Sequence, residues 1–161
     1  RTPYDDKTIK LLGKAIENEI VYKDWLLAGV GYIDEKNRDS IAIVADFLLK
    51  RKGIHTTVVF AVVFDNENKT LIVDASFRSN QEYLNLNDII KDITSEGGAR
   101  KYKGAYQIAI DYFYHCPDRE LLLEVINKTT IEILKQRRDG VYMTEIKGVF
   151  RKLKAFAKKY F

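Results

Sequence analysis

The stretch TTVVFAVVFDNENKTLIVDASF, residues 56–77, decides the fold of this chain. Residues 56–64 are almost all β-branched or aromatic, which is typical of a strand buried on both faces. The polar run 65–69 is turn material, and residues 70–77 return to the β-branched pattern. Together these segments predict a β-hairpin.

Upstream of the hairpin the sequence predicts two helices separated by a connector. Thr2 and Pro3 are typical of a helix start, with Thr2 as the N-cap. Residues 21–36 contain two glycines and end in a polar run, so they are interpreted as a connector. A second helix over 41–52 is expected to end at Gly53. The apolar stripe of the first helix consists of Ile9, Leu12, Ile16 and Ile20.

Downstream of the hairpin we expect a short helix, a third strand and two further helices. The short helix is expected to begin at Asn87 and to end at the glycine pair 97–98, and residues 105–111 predict the strand. Apolar residues at helical spacing predict the last helices over 120–136 and 142–160. This order of elements predicts an α/β fold, in which helices flank a small mixed, largely antiparallel sheet.

Composition bounds the class of protein. The chain has 161 residues, enough for one core, and 46% of them are hydrophobic, so a folded domain is expected. The charged fraction of 31% and the lack of an apolar run near ~20 residues predict no membrane partner. The net charge of +4 favours anionic partners. The single cysteine, Cys116, cannot form an internal disulfide, which favours a cytoplasmic location.

The segment SEGGARKYKGA, residues 95–105, is the first candidate binding element. The glycine pair Gly97 and Gly98 allows backbone N–H groups to turn toward a ligand, and successive N–H groups form a concavity that binds anions. Gly104 permits close approach at the entrance of the next strand. Cations beside the glycines are supplied by Arg100, Lys101 and Lys103. A helix end followed by a solvated basic loop explains the same residues equally well.

The second candidate element is Arg78, with Ser79 and Asn80 beside it, after the second strand of the hairpin. An arginine at a strand end can donate two hydrogen bonds to one phosphate, and the polar neighbours can support it or bind a sugar. The ordinary alternative is a surface arginine in a loop. If the hairpin and the third strand share a sheet, this element and the glycine segment converge at one end of that sheet.

The basic last helix is a third candidate. Its cations suggest a nucleic-acid footprint, but the preferred interpretation is the solvated face of a helix whose other face packs on the domain. Membrane-surface binding is a poorer option, because that apolar face is needed by the core. The cations are Lys147, Arg151, Lys152, Lys154, Lys158 and Lys159.

Motifs for catalysis are absent from the sequence. His55 and His115 lie far apart, and neither has a carboxylate or cysteine at the spacing of a metal motif. No Ser-His-Asp set, Walker loop or dinucleotide fingerprint occurs either. We therefore expect no catalytic residue, no metal ligand and no cofactor in this chain.

Several segments in order resemble DHH phosphoesterases of the RecJ-like and oligoribonuclease-like group, archaeal members above all. They are RTPYDDKTIKLLGKAIEN, GVGYIDEKNRDSIAIVADFLLKRKGIHTTVVFAVVF, SFRSN, LNLNDII and EGGARKYKGAYQI, within residues 1–113. The family's Arg-Ser pair is matched by Arg78-Ser79. The frame of its glycine-rich loop is matched by Gly97-Gly98 and Gly104-Ala105, but the loop's histidine is replaced by Ala99, Arg100 or Lys101.

The resemblance implies that this chain has two parts and that a further DHH domain belongs to the same polypeptide. Residues 1–36 correspond to a helical linker or the end of a preceding DHH domain, and residues 37–161 to the DHH-associated substrate-binding domain with C-terminal helices. In that family the DHH domain holds two manganese ions. Its Asp-His-His motif is absent here, so manganese is expected in a DHH domain of the same polypeptide. The first residue, Arg1, also suggests a piece of a longer protein.

The function implied is binding of phosphate and nucleic acid within a DHH-family phosphoesterase, a hydrolase of short oligonucleotides or nucleotides. The partners expected are short single-stranded nucleic acid or a nucleotide, with a second copy of the chain as one option. One alternative is a non-enzymatic RecJ-like interaction module in a replication or repair assembly. Another is the tRNA-contacting use of this domain in alanyl-tRNA synthetases, which the DHH-type linker disfavours.

Overall fold

The predicted hairpin lies at the centre of a six-stranded sheet in the computed structural model, which describes residues 4–160. The strands have the order β1-β2-β3-β4-β6-β5, and only β2 and β3 pair in parallel. The predicted α/β class with a mixed, largely antiparallel sheet is confirmed. The elements are α1 (Asp6–Asn18), β1 (Ile20–Tyr22), β2 (Trp25–Asp34), α2 (Ser40–Leu49), β3 (Thr56–Asp65), β4 (Thr70–Ser79), α3 (Leu86–Ile93), β5 (Gly97–Ala99), β6 (Lys103–Ala109) and α4 (Arg119–Tyr160), with short 3-10 helices at Glu35–Asn37 and Asp111–Phe113.

Each face of the sheet is covered by a different pair of helices. One core packs α1 and α2 against alternate residues of β2 and β3, such as Leu26 and Val59. The other packs α3 and α4 against the remaining residues, such as Leu27 and Phe60. Strand β3 is therefore buried on both sides, as its near-continuous run of apolar residues predicts. On the first face, α2 packs over β3 and β4.

The expectation of a connector over 21–36 is wrong. These residues contribute β1 and β2, and the apolar stretch WLLAGV at the start of β2 is almost wholly buried. The two glycines are misleading because they belong to a bulge. The register with β3 shifts between Gly29 and Tyr32, and Gly31 has φ +80°. At Gly29 an added Cβ would lie 2.9 Å from the ring of Phe60. The division of the chain into a linker and a substrate-binding domain at residues 36 and 37 stays a prediction.

Several helix and strand boundaries also differ from those expected. Helix α1 is capped by Asp5, whose carboxylate accepts a hydrogen bond from the Thr8 N–H at 2.8 Å. The predicted cap, Thr2, lies outside the described residues. Helix α3 is capped by Asn85 rather than Asn87. The third predicted strand begins at Lys103, and β5 forms beside it where a helix end was expected.

The two last predicted helices are one helix, α4, of 42 residues. Gly140 lies between the two predicted segments, and within a helix glycine costs only about 1 kcal/mol relative to alanine, so the helix continues through it. The first half of α4 packs on the sheet through residues such as Leu134, but the apolar side chains from Ile146 onward are about half exposed. The preferred interpretation of this helix is therefore wrong, because its apolar face is not covered by the domain. No helix in the described part of the chain is both long and apolar enough to span a bilayer.

Candidate phosphate-binding groove

An open groove of about 610 Å³ lies on the α2 side of the sheet, where β6 and β5 extend beyond the cover of α2. It forms because α2 packs mainly over β3 and β4, which leaves this face of the last two strands open. Strands β4 and β6 are neighbours, so the two predicted binding elements do meet. Six of the predicted site residues line the groove: Arg78, Gly97, Gly98, Arg100, Lys103 and Gly104.

Arg78 is fixed at the inner wall of the groove. Its Nε donates to Asp46 Oδ1 at 2.7 Å, and its Nη1 donates to the Phe77 carbonyl at 2.8 Å. Only 12% of the side chain is exposed. Since a guanidinium carries five N–H donors, these two bonds leave about three for another acceptor. The two bonds hold the guanidinium in one orientation at the edge of the groove.

Lys103 and Arg100 bring two further cations to the same groove. Lys103 is the register partner of Arg78 on the adjacent strand, so both side chains lie on one face of the sheet. Arg100 follows β5 directly, and its backbone N–H donates to the Lys103 carbonyl at 2.8 Å. Three positive side chains on neighbouring strand ends form a local anion-attracting field.

Ser79, Asn80 and Lys101 do not line the groove. Ser79 follows Arg78 in an extended strand, so its side chain lies on the opposite face, where its hydroxyl pairs with that of Thr56 at 3.0 Å. Asn80 contacts His55 through Oδ1 and Nδ1 at 3.1 Å. The ammonium of Lys101 lies 3.7 Å from Glu82, at a separate depression. The alternation of a strand predicts that neighbours such as Arg78 and Ser79 cannot share one groove.

The glycine pair lies in a strand and not in the loop that the sequence predicts. Gly97 and Gly98 belong to β5, which pairs antiparallel with β6. The N–H groups that follow them are also used, because Ala99 donates to Asn87 Oδ1 at 3.0 Å and Arg100 to Lys103. The groove therefore presents side-chain cations, and its glycines serve another purpose.

That purpose is close packing. A Cβ on Gly97 would lie 2.5 Å from the Ala105 carbonyl oxygen, and one on Gly104 would lie 2.5 Å from Ile90 Cδ1. Both distances are shorter than real Cβ atoms show. Glycine at 97 therefore lets β5 pair closely with β6, and glycine at 104 lets β6 pack against Ile90 of α3. The absence of side chains also keeps the floor of the groove low.

Sequence reasoning missed Asp46 and Gln107. Asp46 lies on α2, 32 residues from Arg78 in the chain, and no local motif indicates that contact. Gln107 lines the groove two residues after Ala105, on the same face of β6, so strand alternation would have identified it. Its register partner Asp74 is buried, which raises the pKa of that carboxyl, while the neighbouring Arg38 opposes the shift.

Metal binding finds no support in the described residues. Within 4–160 there is no group of three or more His, Cys, Asp or Glu side chains placed to hold a metal ion.

Comparison with known proteins gives one relative in sequence. No family model matches the chain. It is 34% identical over 123 residues, or 76% of its length, to an uncharacterized protein of Methanocaldococcus jannaschii. The match covers 24% of that protein, so the chain spans about a quarter of the length of this curated relative.

Two solved structures show a distant likeness. One is the pGpG-specific phosphodiesterase PggH of Vibrio cholerae, with a TM-score of 0.41 and 14% identity over 75% of this chain and 39% of that one. The other is the C-Ala domain of Aquifex aeolicus alanyl-tRNA synthetase, with a TM-score of 0.43 and 17% identity over 74% of this chain and 96% of that one. Similarity at this level identifies neither a family nor a function, and the proposals below depend on the residues of this chain.

Proposed function

We propose that the groove binds a phosphate of a nucleotide or short oligonucleotide. The chain would then be the phosphate- and nucleic-acid-binding domain of a DHH-family phosphoesterase, whose manganese site lies in a separate DHH domain. The observation that carries the proposal is the convergence of Arg78, Arg100 and Lys103 on one uncovered face of the sheet.

The chemistry of the groove favours phosphate over other anions. Arg78 keeps free N–H donors at the end of its guanidinium, a geometry that matches two phosphate oxygens. Lys103 supplies a point charge from the adjacent strand. Asp46 contributes a carboxylate beside them, which lowers the net positive charge of the groove. Because the net charge is still positive, it attracts a doubly charged phosphate more strongly than a singly charged carboxylate.

The neighbouring residues favour a small ligand. The floor of the groove is made of Gly98, Gly104 and Ala105, which leave room for a sugar or base to lie against the sheet. A second depression beyond Arg100 is lined by polar residues of the segment before α3. The two depressions share Ala99 and Arg100 in their lining, which favours a ligand such as a dinucleotide that contacts both.

We expect binding of short oligonucleotides to the isolated chain to be weak and strongly dependent on salt. Each phosphate neutralised on a single strand contributes about −0.7 to the slope of log affinity against log salt. Titrations of a fluorescent oligonucleotide at several salt concentrations measure that slope. An affinity that is the same at low and high salt would show that the basic residues are not the contact surface.

Replacing Arg78 tests the groove itself. A charge-assisted hydrogen bond contributes about 1.5–3 kcal/mol, so Arg78→Ala should weaken the binding of a 5′-phosphorylated dinucleotide by at least about tenfold. The fold should survive, because the partner left behind, Asp46, has a side chain that is 47% exposed. Calorimetric titration gives the affinity, and a thermal unfolding curve checks the fold.

The control variant changes Lys154 and Lys158 of α4 to glutamine together. It removes two positive charges from a surface remote in sequence from the groove, and a dinucleotide is too short to engage both. Dinucleotide binding should be nearly unchanged in this variant. If Arg78→Ala binds like the parent while the α4 variant fails, the groove is the wrong site and α4 is the contact surface.

A second candidate function is supported by a different surface. The last part of α4 has an exposed apolar face, which favours a module that binds another protein. The two functions do not exclude each other, because the groove and this helix face are separate.

A further inference from the structure

The last four turns of α4, from Ile146 onward, carry an apolar stripe that no described residue covers. Its members alternate in spacing between three and four residues, which is the pattern of a knobs-into-holes seam. Each of them is between 47% and 61% exposed. The stripe consists of Ile146, Val149, Leu153, Phe156 and Tyr160.

The stripe is continuous. With a second apolar row at Met143, Phe150 and Ala157, it occupies an arc of about 140° on the helix, wide enough to pack against a neighbouring helix. The helix bearing it continues directly from the segment fixed to the sheet through Leu134 and Arg138. The stripe is therefore held on a rigid element that is anchored at one end.

Cations flank the stripe on both sides. Residues 146–160 contain six lysines and arginines and no acidic residue. Helical geometry places Lys147 and Lys154 along one edge of the stripe, and Lys152 and Lys159 along the other. Lys152 and Lys159 hold the position directly beside the seam, where charge selects a helical partner by sign. Lys147 and Lys154 lie one row further out, beyond Phe150 and Ala157.

We propose that residues 146–160 of α4 dock an acidic amphipathic helix of a partner protein. An apolar seam of the partner packs on the stripe, and glutamates or aspartates beside that seam pair with the flanking lysines. A second copy of this chain fits less well, because it would bring two helices of like charge within the screening length of about 8 Å. The proposal rests on the second candidate function and names its partner class, and it uses none of the groove residues, so it can fail while phosphate binding at the groove holds.

The probe for this surface is a designed helical peptide of four heptads, with leucine at both seam positions and glutamate at both flanking positions. Its glutamates keep it from pairing with itself. The control peptide has lysine in place of each glutamate. We expect the whole 161-residue chain to bind the glutamate peptide at least about tenfold more tightly than the lysine peptide, measured by calorimetry.

Two matched variants of the chain locate the contact. Leu153→Glu puts a charge into the stripe, and Leu121→Glu puts the same charge on the other half of the same helix. Leu153 is 57% exposed and Leu121 is 55% exposed, so neither change disturbs a core. Leu153→Glu should weaken binding of the glutamate peptide by at least about tenfold, and Leu121→Glu should leave it unchanged.

Each alternative occupant has an outcome that overturns the proposal. Equal binding of both peptides, or of both leucine variants, would show that the stripe does not recognise an acidic helix. Binding to vesicles of phosphatidylcholine and phosphatidylserine without peptide binding would identify a membrane surface. Sedimentation showing a dimer that Leu153→Glu dissociates would identify a second copy. Binding of a single-stranded oligonucleotide in place of the peptide would identify nucleic acid.

Discussion

Asp24→Ala should lower the free energy of unfolding by about 3 kcal/mol, the cost of breaking a buried ion pair by removing one partner. Asp24 Oδ1 accepts from Arg138 Nη2 at 3.0 Å, and the side chain of that arginine is only 10% exposed. The other oxygen of Asp24 accepts from Tyr142 at 2.9 Å and from Gln81 at 3.1 Å. Removing the carboxylate leaves a nearly buried guanidinium with Asp139 as its remaining partner.

The control for this prediction is an exposed ion pair whose arginine lies on the same helix as Arg138. Arg137, next to Arg138, lies 3.8 Å from Asp92, and both side chains of this pair are at least 43% exposed. Because exposed pairs contribute at most about 1 kcal/mol, Asp92→Ala should have little effect. Urea denaturation of both variants measures the difference. Equal effects would mean that the buried network around Asp24 does not fasten α4 to the sheet.

The contribution of Asp24 should also depend on pH. Burial alone would raise its pKa, but hydrogen bonds from Arg138 and Tyr142 outweigh burial and hold it below the usual 3.8. A carboxyl whose pKa is lowered on folding stabilises the native state above its unfolded pKa. That stabilisation is lost as the pH falls through the folded pKa. The difference between parent and Asp24→Ala should therefore be full near neutral pH and shrink below pH 3.8.

The elements that the sequence predicts correctly are those with one strong local signal. The run of β-branched residues in β3 indicates a buried strand, and the short polar turn after it favours antiparallel pairing with β4. Strand β2 has a run just as apolar, but its glycines imitate a loop. Only the tertiary contact between Gly29 and the ring of Phe60 explains why glycine is needed there.

The candidate site also combines features that the sequence predicts with features that only the structure shows. Arg78 and the glycine segment meet because β4 and β6 are adjacent strands, an arrangement that the sequence suggests. The orientation of Arg78 depends on Asp46, which helix packing brings from 32 residues away, and such a contact leaves no local trace. In the sequence the glycines suggest an anion-binding loop, because such a loop and a short strand pair rich in small residues have the same composition. The pairing of β5 with β6 distinguishes them.

Gly97→Ala should both destabilise the fold and remove the groove. Its added Cβ would lie 2.5 Å from the Ala105 carbonyl oxygen and 2.6 Å from Tyr106 Cβ. The obstruction is backbone and a buried side chain, so the β5–β6 pair must open, at the cost of about 1–3 kcal/mol typical of overpacking. Opening moves Arg100 away from Lys103 and Arg78, so dinucleotide affinity should fall by more than about tenfold.

Gly98→Ala is the matched control, since it adds the same methyl group one residue further along β5. There the nearest atom is Asn87 Oδ1 at 3.2 Å, the end of a side chain that can turn aside. Gly98→Ala should therefore lose much less stability than Gly97→Ala, measured by urea denaturation. Hydrogen exchange of the β6 amides reports whether the strand pair has opened. If both variants keep the stability and exchange of the parent, β5 is not clamped at Gly97, and the glycines there serve the ligand rather than the packing.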